Sequence, residues 1–160
     1  MKVYHYKEIT VTQLAQESGY SRKTFYRLFE DKDDVLTVLF DALFAEFIAE
    51  FLTRNVCRYW DIVALYFDFW ETRKDKLHLL EKNGLLPRMF ENVYRHSKTI
   101  FVAMRSSEKA KEFSEPLPYL LAYSVGGMHS MLIRWVELGM TVSSTELIAH
   151  LKASFQSPDL

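Results

Sequence analysis

The chain has 160 residues, 49% hydrophobic and 15% aromatic, enough for one ordinary packed domain or a small module joined to a larger one. Twenty Lys and Arg stand against 21 Asp and Glu, a formal net charge of −1, which excludes a protein that coats nucleic acid through overall charge. A single cysteine, Cys57, excludes an intrachain disulfide and suits a reducing cytoplasm; no apolar run is long enough for a transmembrane helix, and MKVYHYKEI lacks the apolar core of a signal peptide.

Met1 to Glu8 is too short for a full helix, with Val3, Tyr4 and Tyr6 as its large apolar positions. Ile9 to Leu36 predicts two short helices around a tight turn and the start of a third. Thr10 is an N-cap candidate, and Gln13 three residues later completes a capping box. Val11, Leu14 and Ala15 then recur at helical spacing, and Gly19 stands where a left-handed C-cap is usual. Ser21 is placed to cap the second helix. Phe25, Leu28 and Phe29 form its expected inner face; Arg22, Lys23, Thr24, Tyr26 and Arg27 fall on the other side. This is a helix-turn-helix pattern whose second helix is dressed for DNA. Three cations and no acids lie between Tyr20 and Phe29, and Glu30, Asp31, Asp33 and Asp34 follow, so the positive charge is local.

The pattern T-V-x-x-L-A-x-x-x-G-Y-S-x-x-T-F-Y-R-x-F-x-D-K-x-x-x-L, running from Thr10 to Leu36, resembles the tetracycline-repressor-like (TetR) transcriptional regulators. The resemblance implies a DNA-binding module over residues 1–36 and a helical ligand-binding and dimerisation body over 37–160, all-α throughout. It implies that Lys32 contacts phosphate and that Tyr26 bonds the DNA backbone. Arg22, Lys23 and Thr24 then reach base edges, where Arg to guanine is the commonest contact. Arg27 meets either base or phosphate, and Thr10 and Ser21 open the two helices near the phosphates. Two departures stand out. Leu28 occupies a position where many relatives have His or Tyr. The family's first helix, which packs across the other two, is represented only by its end. Either the start is misplaced, or the chain is shortened, or the helix has been lost.

Asp31 is placed to cap the next helix, with Asp34 at its N3 position. Val35, Leu36, Leu39, Phe40, Leu43, Phe47 and Phe51 give it a broad apolar stripe from Lys32 to about Thr53. After a connection at Arg54 to Arg58, Tyr59 to about Arg73 is aromatic almost all round and is expected at the centre of the body. Asp75 to Asn83 predicts a short helix ending at Gly84, and Pro87 suits the first turn of another running to about Arg105. Ser106 to Glu115 reads as a loop. Pro116 and Pro118 open a long helix to about Leu138, with small residues (Ala122, Ser124, Gly126, Gly127, Ser130) among large ones; Gly139 closes it. Ser143 or Ser144 then caps a last helix to about Phe155. There is no strand signal.

Met128, Leu132, Trp135 and Val136, with Ile148, Leu151 and Phe155 on the last helix, are the residues expected to pack on a second copy as a four-helix bundle. Tyr59, Trp60, Tyr66, Trp70, Phe90, Tyr94 and Tyr123 are the candidates for lining an apolar pocket for a small apolar or aromatic ligand. For any one of them, ordinary core is the commoner role. His78, His96 and His129 lack metal-ligand spacing, and His129 is expected to be a hydrogen-bonded core or interface histidine. There is no glycine-rich phosphate loop, nucleophile elbow or HExxH, so neither catalysis nor a cofactor is expected.

Overall fold

The computed structural model describes residues 4–54, 56, 58–103 and 115–155. Among these the chain forms a 3-10 turn at Tyr6–Glu8 and eight α-helices, with no strand: α1 (Val11–Glu17), α2 (Arg22–Leu28), α3 (Lys32–Thr53), α4 (Tyr59–Glu71), α5 (Lys74–Lys82), α6 (Leu86–Ala103), α7 (Leu117–Glu137) and α8 (Ser144–Phe155). No helix among the described residues is long and apolar enough to cross a membrane. The expected loop from Ser106 lies outside the described residues up to Glu115, as does Cys57.

The caps explain the boundaries. The Thr10 N–H donates to the Gln13 side chain (2.8 Å), and the Gln13 N–H returns to the Thr10 hydroxyl (3.2 Å). At the other end of α1, Gly19 takes φ +73°, and the Tyr20 N–H reaches back to the Ala15 carbonyl at 2.9 Å. Ser21 Oγ accepts from the Thr24 N–H at 3.1 Å and starts α2. The Asp31 carboxylate accepts from the N–H groups of Asp33 and Asp34 (2.7 and 3.1 Å) and starts α3. The choice between Ser143 and Ser144 resolves onto Ser143, whose hydroxyl accepts from the Glu146 N–H while its own N–H meets the Glu146 carboxylate. Ser144 instead anchors α8 to α4, its N–H and hydroxyl donating to Glu71 at 3.1 and 2.7 Å.

Helix α4 is central, as its all-round apolar sequence requires: Ile62, Val63, Leu65, Tyr66, Phe67, Phe69 and Trp70 are all buried. It packs on α3, α5 and α8, while α6 packs on α3, α5 and α7. Helix α3 buries Leu36, Phe40, Leu43, Phe44, Phe47 and Phe51; Val35 is only half-buried and Leu39 is exposed, so the expected stripe is narrower. Polar links tie α6 to α3. Asp41 accepts from the Asn92 side chain and lies 3.2 Å from His96 Nε2, and Arg88 pairs with Asp33 at 3.0 Å. Among the buried aromatic pairs, Phe67 meets Trp135 at 5.6 Å, and the Trp135 indole N–H donates to the Val142 carbonyl at 2.9 Å.

His129 is the buried, hydrogen-bonded histidine expected from its apolar neighbours. It is 4% exposed, with Nε2 2.9 Å from the Leu86 carbonyl oxygen, which fixes Nε2 as the protonated nitrogen. Burial pushes its pKa below the ordinary value, and the bond to Leu86 opposes that only in part. The unfolded chain takes up this proton near pH 6.5, and the folded chain resists it. The stability contribution is therefore complete above about pH 6.5 and declines on acidification, by at most about 1.4 kcal/mol per pH unit. Urea unfolding at pH 7 and pH 5 should show the parent losing stability and His129→Gln losing less. An equal loss in both would place the sensitivity on another group.

Candidate nucleic-acid face and ligand cleft

Helices α1 and α2 pack together through buried Ala15 and Phe25, with Phe29 half-buried and its ring 5.4 Å from that of Phe25. Leu28 departs from the expected inner face: it is 60% exposed. The free side of α2 carries Arg22, Lys23, Tyr26 and Arg27, all exposed, with Tyr26 held edge-on against Phe25 at 5.6 Å. Among the described residues none of these three cations is in an ion pair. Four residues proposed from sequence for nucleic acid are committed within the chain. The Thr10 and Ser21 side chains cap their helices, and the Thr24 hydroxyl lies 3.0 Å from that of Ser21.

Lys32 is the fourth. Its ammonium donates to the carbonyls of Tyr6, Lys7 and Ile9 at 2.9, 3.0 and 3.0 Å, which uses all three of its protons. It thereby closes the C-terminal end of the 3-10 turn, where cations are favoured. Around it the N-terminal segment is latched to the body. The Tyr6 N–H donates to Asn83 Oδ1 at 2.6 Å, and the Tyr6 hydroxyl donates to the Asp33 carboxylate, which also pairs with Arg88. Burial first, and the Asp33 carboxylate second, push the Tyr6 pKa up to about 12. The Asp33 carboxyl is held below its usual range, chiefly by the Arg88 guanidinium and then by the Tyr6 hydroxyl. Sequence reading noted Tyr6 only as an apolar position and missed Asn83 and Arg88, because no local pattern announces contacts across such separations.

In the body, a cleft of about 1200 Å³ opens between α3, α4, α6, α7 and α8. Four of the seven candidates line it: Tyr59, Trp60, Tyr66 and Tyr123. Trp70 does not; it packs edge-on against Phe69 at 5.2 Å. Phe90 and Tyr94 lie on a neighbouring face of α6, where Phe90 meets His129 (5.6 Å) and the Tyr94 hydroxyl is 3.4 Å from the Pro118 carbonyl oxygen. The residues expected to meet a second copy also divide. Leu132, Trp135, Val136 and Ile148 are buried in the chain's own core, since α4 and α5 need covering from this side. Met128, Leu151 and Phe155 line the cleft. The exposed residues of α7 and α8 include small ones, Ala122, Gly127 and Ser130 on one and Ala149 and Ala153 on the other, beside the large Tyr119, Tyr123 and Phe155.

Among the described residues no group of three or more His, Cys, Asp or Glu is placed to hold a metal ion. The chain matches no family model, no curated protein and no solved structure.

Proposed function

We propose that this chain is a sequence-specific, DNA-binding transcriptional regulator of the TetR-like kind, a ligand-responsive repressor that acts as a homodimer. The observation that carries this reading is the free face of α2, where Arg22, Lys23, Tyr26 and Arg27 are exposed on a short capped helix whose only buried side chain is Phe25. Base edges and phosphates are read by such side chains. A second copy is required for strong specific binding, because one short helix covers too little DNA. The exposed small residues of α7 and α8 are the surface on which two copies can approach closely.

Regulation follows as a population shift. A ligand in the cleft presses on α6, whose Val93, Ser97, Ile100 and Phe101 line it. Helix α6 is bonded to α3 through Asp41 and Asp33, and α3 leads directly from α2. Displacing α3 changes the spacing of the two recognition helices, which must fit major grooves about 34 Å apart.

Fluorescence anisotropy on the DNA upstream of its own gene, across a salt series, tests this. Saturable and sequence-selective binding that weakens steeply with salt is expected. Binding no tighter than to random DNA would favour a second reading, a helical ligand- or protein-binding module that has lost DNA recognition. That reading draws on the engaged ammonium of Lys32 and on exposed Leu28, which offers no hydrogen bond to a phosphate.

A further inference from the structure

The cleft divides into a deep apolar part and a rim that bears hydroxyls. Phe44 and Phe47 of α3, Val63 and Tyr66 of α4, and Val93 and Phe101 of α6 form the deep wall, each at most 7% exposed. At the rim the Tyr59 hydroxyl is hydrogen-bonded with that of Ser124, and Tyr123 lines the same cleft. Tyr59 and Tyr123 are 45% and 71% exposed, so this end of the cleft is in contact with water. The lining consists of aliphatic, thioether, aromatic and hydroxyl side chains with two glycines, and among the described residues no charged side chain contributes to it. Two hydroxyls are set deeper: that of Ser97 already donates to the Tyr94 carbonyl at 2.7 Å, and that of Tyr66 is buried with no hydrogen-bond partner among the described residues.

These groups define a complementary ligand. Apolar surface gains by entering the deep part. A charge carried inward loses hydration and meets no counter-charge there. A neutral hydroxyl or carbonyl at the rim exchanges hydrogen bonds with Tyr59, Ser124 and Tyr123, each of which can donate or accept. The volume exceeds that of most small-molecule sites, so the apolar portion is a long chain or a fused-ring skeleton. We infer that the cleft takes an uncharged amphipathic molecule, with a large apolar body and a single neutral hydrogen-bonding head held at the Tyr59–Ser124 rim. This rests on the reading of the cleft as a ligand site and specifies what that site accepts.

Gly126 supplies a means of closing the cleft without disturbing the fold. It lines the cleft from α7, and a Cβ placed on it meets nothing within 4 Å. Gly126→Leu therefore projects a side chain into open space and improves helix propensity. The full chain is titrated with the neutral dye Nile red, which is then displaced by 1-decanol, decanoate and decyltrimethylammonium, three molecules with one tail and different heads. The dye is expected to bind, and decanol to displace it at concentrations at least about tenfold below the two ions, the rim leaving part of any head hydrated. Gly126→Leu should weaken dye binding about tenfold or more, with a melting temperature no lower than the parent's. Decanoate or the ammonium ion displacing the dye as well as decanol would overturn the assignment of a neutral ligand and leave the ligand site standing. Failure of the dye and decanol to bind, or equal binding by Gly126→Leu, would remove the ligand site itself. The same holds if dye binding vanishes as the protein associates, since the cleft would then belong to a second copy.

Discussion

Phe67→Ala is expected to cost about 3–5 kcal/mol of folding stability. Phe67 has no exposed surface, and its ring packs edge-on between Tyr66 and Trp135, each 5.6 Å away. Helix α4 is held by its neighbours on several sides, so the surroundings have little freedom to collapse into the space left behind. Whole domains are stable by only about 5–15 kcal/mol, so the loss is a large part of the margin. In a chain of this length it corresponds to a fall in melting temperature of about 6–20 °C. Thermal melts followed by circular dichroism at 222 nm, with urea midpoints beside them, check the figure. Phe155→Ala is the comparison. Phe155 is 59% exposed, and its removal should cost under about 1 kcal/mol. If the two variants melted together, α4 would not be the centre of the body.

The second large effect separates two cations that lie ten residues apart. Arg22→Ala should lose about 1–3 kcal/mol of specific DNA binding, roughly 5- to 150-fold, and leave stability unchanged, because its side chain is exposed and unpaired. Lys32→Met should do the reverse. Its apolar stem is kept, but the Tyr6, Lys7 and Ile9 carbonyls lose their shared donor. Charge-assisted hydrogen bonds of this kind contribute about 1.5–3 kcal/mol, reduced here because the cluster is partly open to water. Stability should fall by about 1–3 kcal/mol, while the dependence of DNA affinity on salt keeps its slope. A slope reduced by about one with unchanged stability would instead mean that the ammonium leaves its carbonyls and meets a phosphate. If Arg22→Ala bound DNA as the parent does, the face assigned to reading would be wrong.

These residues also show where the sequence was informative. Helix ends were legible, since a cap is a contact between neighbours: Thr10 with Gln13, Gly19 with φ +73°, Asp31 with Asp33 and Asp34. The centrality of α4 was legible because an apolar circumference has nowhere else to go. Which aromatic residues face a cleft was not, since periodicity gives a face but not the partner it meets. Tyr66 and Trp70 stand one turn apart on α4, and only the first lines the cleft. Leu132, Trp135, Val136 and Ile148 looked like surplus apolar surface until α4 and α5 took it up. Lys32 was read from motif position alone, which does not reveal that three carbonyl groups compete for the same ammonium.

The latch at Tyr6 has a consequence for how the chain is made. Its backbone partner, Asn83, lies 77 residues further along, and Arg88 follows five residues later. On a ribosome adding about 5–20 residues per second, Tyr6 waits roughly 4–15 s before Asn83 is even synthesised. The part of the molecule translated first is thus fastened down only after about half of the chain has been made. Until then Lys32 and its carbonyls have no body to hold against, and the first two helices emerge as a loose pair. An affinity tag fused ahead of Tyr6 would sit beside this long-range junction, whereas a tag beyond α8 would leave it clear.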